Sequence, residues 1–256
     1  MSELDLVVFD LAGTTVEDRG QVTDAFTGAL ATLGLSVTPE QLSAVRGSSK
    51  RQAILQLVPD GPDRARYAET AYVSFVERLA QRYRTEGVRA VAGAEQTFRW
   101  LRQRGIRVAL NTGFERGITY LLQDALGWSD GVVDAVVCGD DVTRGRPAPY
   151  LIFRAMEATA ASSVHRVASV GDTTLDLHAG HNAGVRWNVG VLSGAPQPVA
   201  LGAGPALAPA CRRRRTAVAL APRITPLPQW PARLRSVFIP GIVGPALPGS
   251  FVRFGE

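Results

Sequence analysis

Four short stretches set charged or hydroxylic side chains directly after, or between, apolar runs. VVFDLAGTT ends its run at Asp10, VALNTGF at Thr112 and Gly113, and VASVGDTTLD at Asp172 with Asp176 one helical turn further on, while DDVTRGRPAPY carries Arg146 before a proline. Brought together, two or three carboxylates can take a hard divalent cation, a hydroxyl and an amide can hold phosphate oxygens, and an arginine can balance phosphoryl charge. Taken singly, each also fits a plainer role: an aspartate after a strand caps a turn, and Gly13 makes such a turn possible here. A fifth stretch, VRGSSKRQ, holds Lys50, the only lysine among 28 basic residues. A guanidinium supplies charge as well as an ammonium does, but only a primary amine condenses with a carbonyl. The plainer reading of Lys50 is a solvated residue that escaped an arginine-biased composition.

The elements that must position these residues alternate along the chain. Apolar runs of strand length occur at 4–9, 107–110, 134–137, 167–170 and 185–191, each followed by a polar or glycine-rich turn. Helical patterns lie between them: Tyr67, Ala71, Phe75 and Leu79, flanked by Ala68, Tyr72 and Val76, recur at intervals of three and four, and 94–104, 118–126 and 149–158 read similarly. Such alternation predicts an α/β fold, a doubly wound parallel sheet with the site on the loops at the carboxyl ends of its strands. Almost a hundred mostly helical residues separate the first strand from the second, which predicts an inserted helical cap. The expected organisation is a core of residues 1–16 and 91–194, a cap of 17–90, and a poorly ordered tail of 195–256. That tail contains 11 of the 16 prolines and the run Arg212–Arg215. A shift of reading frame near residue 195 would explain its composition, and resequencing the gene tests that.

The order Asp10, Thr112, Arg146, Asp172 resembles the four motifs of the haloacid dehalogenase superfamily of hydrolases, over about residues 4 to 194. By that resemblance Asp10 is the nucleophile that accepts a phosphoryl group, Thr112, Gly113 and Arg146 bind it, and Asp10, Asp172 and the carbonyl of Ala12 hold Mg2+, with Asp176 supporting from nearby. A carboxylate attacks a dianionic phosphoryl group only if both charges are neutralised, so the metal and the arginine are required on physical grounds as well. Most phosphatases of the superfamily place an acid two residues after the nucleophile to protonate the leaving alkoxide; here that position is Ala12. The phosphonatase branch, which hydrolyses phosphonoacetaldehyde, solves the problem differently. Its cap lysine forms an imine with the aldehyde, and the iminium accepts the electrons released when the carbon–phosphorus bond breaks. DLAGTT at residues 10–15, GSSK at Gly47–Lys50, GRPAP and GDTTLD all resemble that branch, which implies Lys50 as a catalytic amine and Gly47 as part of the substrate site. The pattern departs at Arg46, where a methionine is expected, and at Ala53, where a histidine assists imine formation. A phosphoglycolate-type phosphomonoesterase and an idle phosphate-binding protein are the alternatives. A small phosphonate or phosphorylated substrate and a homodimer through the cap are also implied.

Composition limits the remaining classes. Net charge is +5, but residues 1–194 hold 20 basic and 22 acidic side chains, so the basicity belongs to the tail. No groove-reading motif or aromatic interleaving accompanies its arginines, and no nucleic-acid partner is expected. The N-terminus MSELDLVVFD has neither signal-peptide nor membrane-span character, and no membrane partner is expected. Cys138 and Cys211 form no metal or disulfide pattern, which favours a cytoplasmic protein. His178 and His181 lack a third metal ligand, Asp140 and Asp141 read as solvated acids, and Arg46 and Arg51 either attract a substrate anion, depress the lysine pKa or are surface charge.

Overall fold

The computed structural model describes residues 4–129 and 131–194, together with the backbone of 252–253; the expectations about the tail otherwise lie outside the described residues. Five parallel strands, β1 (Leu6–Asp10), β2 (Arg107–Asn111), β3 (Ala135–Val137), β4 (Val167–Gly171) and β5 (Trp187–Gly190), stand in the order β3-β2-β1-β4-β5. A two-residue strand, β6 (Val252–Arg253), pairs antiparallel with β5. The register aligns Asp10 with Asn111 and Phe9 with Val170.

Every residue of β1 is buried, which is why it reads as an unbroken apolar run rather than an alternating one: a central parallel strand is covered on both faces. Val7 and Phe9 point to one layer with Phe98 and Leu101 of α5 (Ala94–Arg102) and Ile118 and Leu122 of α6 (Arg116–Leu126). Leu6 and Val8 point to the other, with Leu151 and Ala155 of α7 (Tyr150–Ala158) and Ala179 of α8 (Thr174–Ala183). The sheet grows from β1 toward β2 and β3, then resumes on the opposite side with β4 and β5. The carboxyl ends of β1 and β4 therefore meet at the point where strand order reverses, where open α/β sheets bind ligands. The expected strand 185–191 is shorter, because Gly184 ends α8 in a left-handed conformation (φ 69) and Val185 is still hydrogen-bonded back to Gly180.

Between β1 and α5 lie four helices, α1 (Gln21–Ala31), α2 (Pro39–Val45), α3 (Lys50–Leu57) and α4 (Arg64–Glu86). The repeat through Tyr67 and Leu79 belongs to α4, whose buried face takes α1 along it, with the Phe26 and Phe75 rings edge-on at 5.0 Å. The two chain crossings into this insert run side by side: the Glu17 amide donates to the Arg89 carbonyl and the Val91 amide to that of Thr15, both at 2.9 Å. Thr38 and Gln41 close a capping box around Pro39 at the start of α2, a signal of the kind that fixes a helix end locally. No helix among the described residues is long and apolar enough to cross a membrane.

Candidate functional site

Asp10 is the last residue of β1, Asp172 follows β4 directly, and Asp176 lies in the first turn of α8; one carboxylate oxygen from each lies within 4.8 Å of the others. Arg146 is buried among them. Its Nη1 meets Asp10 Oδ1 at 2.8 Å, its Nε meets Asp176 Oδ1 at 2.9 Å, and Nη2 donates to the Asn111 backbone carbonyl at 3.2 Å and to the Asn111 side-chain oxygen. Sequence reasoning missed Asn111; its only signal was a polar residue ending an otherwise apolar strand. Asp176 is a direct member of the acidic cluster. It is fixed by a capping box, with the Thr173 amide donating to Asp176 Oδ2 at 3.0 Å and the Asp176 amide to Thr173 Oγ1 at 3.2 Å.

The turn after β1 brings its backbone against Asp172. Gly13 is left-handed (φ 96), and a Cβ there would lie 2.7 Å from Asp172 Oδ2. Thr14 donates to Asp172 Oδ1 at 3.2 Å, and Thr15 donates to the Asp10 carbonyl at 2.9 Å. Ala12 lies within this turn and is bridged to Val16. Burial pushes the Asp10 carboxyl up to about 6, against the opposing charge of Arg146. Burial, then the charges of Asp10 and Asp176, push Asp172 up to about 8, against Arg46 and Thr14. Both shifts come first from burial, and at Asp172 the neighbouring carboxylates add to it; three carboxylates gather here around Arg146. All-oxygen donors gathered in this way suit a hard divalent cation.

Thr112 and Gly113 follow β2 in the next loop. Thr112 Oγ1 accepts the Phe114 amide at 3.1 Å, which leaves its O–H as a donor. Gly113 lies against the insert: a Cβ on it would sit 2.6 Å from the Ser48 carbonyl oxygen, and its own carbonyl accepts the Lys50 amide at 3.4 Å. Gly47 is left-handed (φ 86), and a Cβ there would fall 2.4 Å from Thr173 Oγ1 at the start of α8. The GSSK segment is therefore seated on two core loops at once, and glycine is what permits each close approach.

Lys50 opens α3. Its amine lies 3.4 Å from the Ser48 carbonyl and 5.1 Å from the centre of the Phe114 ring. Burial lowers its pKa to about 8, against the pull of Asp10 and with a smaller push from Arg146. Its two arginine neighbours have specific partners. Arg46 Nη2 meets Asp172 Oδ2 at 3.1 Å and also donates to the Gly194 carbonyl. Arg51 stacks 3.9 Å from the Tyr72 ring centre and pairs with Glu69 and, at 2.5 Å, with Glu115 at the start of α6. Ala53 is buried in α3, and His165, His178 and His181 are all exposed. Asp140 and Asp141 serve the backbone, accepting the Arg116 amide at 3.1 Å and the Cys138 amide at 2.8 Å.

Comparison with known proteins places the fold in a family. The haloacid dehalogenase-like hydrolase family matches residues 7–189. A phosphonoacetaldehyde hydrolase from Paraburkholderia xenovorans is 30% identical over 233 residues, which cover 82% of this chain and 83% of that one. Another, from Parabacteroides distasonis, is 33% identical over 129 residues, and there the match spans only 48% of the relative and 50% of this chain. The crystal structure of a phosphonoacetaldehyde hydrolase-like protein from Oleispira antarctica superposes with a TM-score of 0.65 at 22% identity, covering 74% of this chain and 73% of that one, a likeness of fold.

Proposed function

Because the chain belongs to the haloacid dehalogenase-like hydrolases, we propose that it hydrolyses the carbon–phosphorus bond of phosphonoacetaldehyde or a close aldehyde analogue. The observation that carries this reading is the Lys50 amine, half-buried, depressed to about 8 and held beside the Thr112–Phe114 loop. The helical insert α1–α4 acts as a cap that delivers it. Ala12 supplies no proton to a leaving alkoxide, and an iminium needs none.

In this reading the free Lys50 amine adds to the aldehyde carbon and expels water, giving an imine that is protonated to the iminium. Asp10 attacks phosphorus, the carbon–phosphorus bond breaks, and its electron pair moves into the iminium to form an enamine. Arg146, Thr112 and the Gly113 amide hold the phosphoryl oxygens. Asp10, Asp172 and the Ala12 carbonyl, with Asp176 beside them, would hold Mg2+, which when bound neutralises charge on the carboxylates and phosphoryl group. The enamine carbon takes a proton; water then hydrolyses the aspartyl-phosphate and the imine, releasing phosphate and acetaldehyde and restoring Lys50. With Ala53 in place of an imidazole, the un-ionised fraction of Lys50 itself governs carbonyl addition. A cytoplasmic location and a homodimer through the cap belong to the same proposal; exposed Tyr67 and Val73 on α4 offer apolar area for the latter.

Turnover of phosphonoacetaldehyde with Mg2+ by the wild type and by Lys50→Arg tests the reading. Acetaldehyde and phosphate in equal amounts from the wild type alone are expected. Lysine-independent release of phosphate from simple esters would instead favour a phosphomonoesterase, and phosphate binding without turnover an idle binding protein.

A further inference from the structure

We infer that Arg46 is a displaceable counter-ion of the acidic cluster, which a divalent cation must dislodge from Asp172 in order to bind. The inference rests on the proposed role of Asp172 as a metal ligand. The Asp172 side chain is only 2% exposed, and both of its oxygens are engaged: Oδ1 accepts from Thr14 and Oδ2 from Arg46. Around Oδ2 the backbone closes in as well, since a Cβ on Gly194 would lie 2.0 Å away and one on Gly13 2.7 Å away. Arg46 also donates to the Gly194 carbonyl, so its guanidinium spans the space beside that oxygen. A guanidinium and a divalent ion on one buried carboxylate oxygen repel each other strongly in a low-dielectric pocket, and the two states exclude one another.

The Arg46 side chain is 35% exposed, so it can swing to solvent, whereas Asp172 cannot follow. Arg46 begins the same 46–49 loop whose Gly47 and Ser48 touch Thr173 and Gly113. Occupancy of the acidic cluster and the seating of the Lys50 loop are therefore linked, and by reciprocity each biases the other. An arginine at this position sets the affinity of the site for its cation and loosens one tether of the insert when the cation arrives.

Calorimetric titration of the full chain with MgCl2, in the absence of substrate, tests the inference on Arg46→Met. The expected result is Mg2+ binding about tenfold tighter than wild type, corresponding to removal of roughly one competing ion pair, together with a lower melting temperature before Mg2+ is added. In the wild type, Mg2+ should speed amide hydrogen exchange in residues 44–49. Equal or weaker Mg2+ binding by a folded Arg46→Met, or wild-type exchange in 44–49 that Mg2+ leaves unchanged, would overturn it. Asp172→Asn separates this from the underlying reading: wild-type Mg2+ affinity in that variant would reject Asp172 as a ligand, whereas its loss leaves the Arg46 comparison to decide.

Discussion

The acidic cluster and the lysine loop touch through Arg46 and Asp172 but are built by different means. Asp10, Arg146, Asp172 and Asp176 are almost fully enclosed; Asp10 ends β1, Asp172 follows β4, Asp176 lies in the first turn of α8, and Arg146, from the loop before α7, holds Asp10 and Asp176 through ion pairs of 2.8 and 2.9 Å. Lys50 and Arg46 come from a half-exposed loop of the insert, joined to the core by a 3.4 Å backbone hydrogen bond, two glycine contacts and partly solvated ion pairs. Removing one member of a buried charged network leaves its partner uncompensated, at a cost of about 3–5 kcal/mol. A loop held by weak contacts can seat and unseat, which suits a group that must admit substrate and release product. The core would thus supply phosphoryl chemistry and the insert the chemistry of the departing carbon.

Changes on the two sides should separate accordingly. Asp10→Asn should abolish hydrolysis of any phosphorus compound by about a thousandfold or more in kcat, measured by phosphate release, because the nucleophile itself is gone. Lys50→Arg should remove carbon–phosphorus cleavage by a comparable factor yet leave inhibition by inorganic phosphate within about threefold, since it keeps the charge and touches only the carbon half. Equal damage to phosphate binding would erase the distinction. Gly47→Ala should lower cleavage by roughly ten- to a hundredfold, because a Cβ would strike Thr173 and the residue must stay left-handed at a strain of about 1–2 kcal/mol.

The pH profile should divide in the same way. The Lys50 pKa is lowered from 10.5 to about 8, and the reactive form is the neutral amine, so cleavage should climb about tenfold per pH unit below about 8 and level off above it. A flat profile across that range would detach the amine from the rate. Smallest of all, Arg51→Gln should slow cleavage by about two- to fivefold with phosphate inhibition unchanged, since it loses exposed pairs with Glu69 and Glu115 that only help hold α3.

Much of the core was readable because a doubly wound sheet writes itself locally. Buried parallel strands appear as apolar runs, and Asp10, Thr112 and Asp172 stand where those runs stop. The Thr173–Asp176 capping box also has a local signal, T-x-x-D, though its carboxylate's pairing with Arg146 does not. What stayed hidden depends on contacts between distant segments: Asn111 meets Arg146 35 residues away, and Arg46 meets Asp172 across 126. The start of α3 is also unmarked, because Ser49 makes no side-chain cap there, whereas Thr38 and Pro39 announce α2. Lys50 stood out through composition and through the GSSK register that follows DLAGTT. Its half-burial and its contact with Phe114 come only from how the insert folds over the core.

The most direct measurement is borohydride reduction during turnover of phosphonoacetaldehyde with Mg2+, followed by peptide mapping; with a single lysine in the chain, any modified lysine must be Lys50. The expected result is an ethyl group on Lys50 in the wild type and a phosphonoethyl group in Asp10→Asn, where the imine forms but phosphorus is not attacked. An unmodified Lys50 peptide, whether or not phosphate is released, would contradict the account.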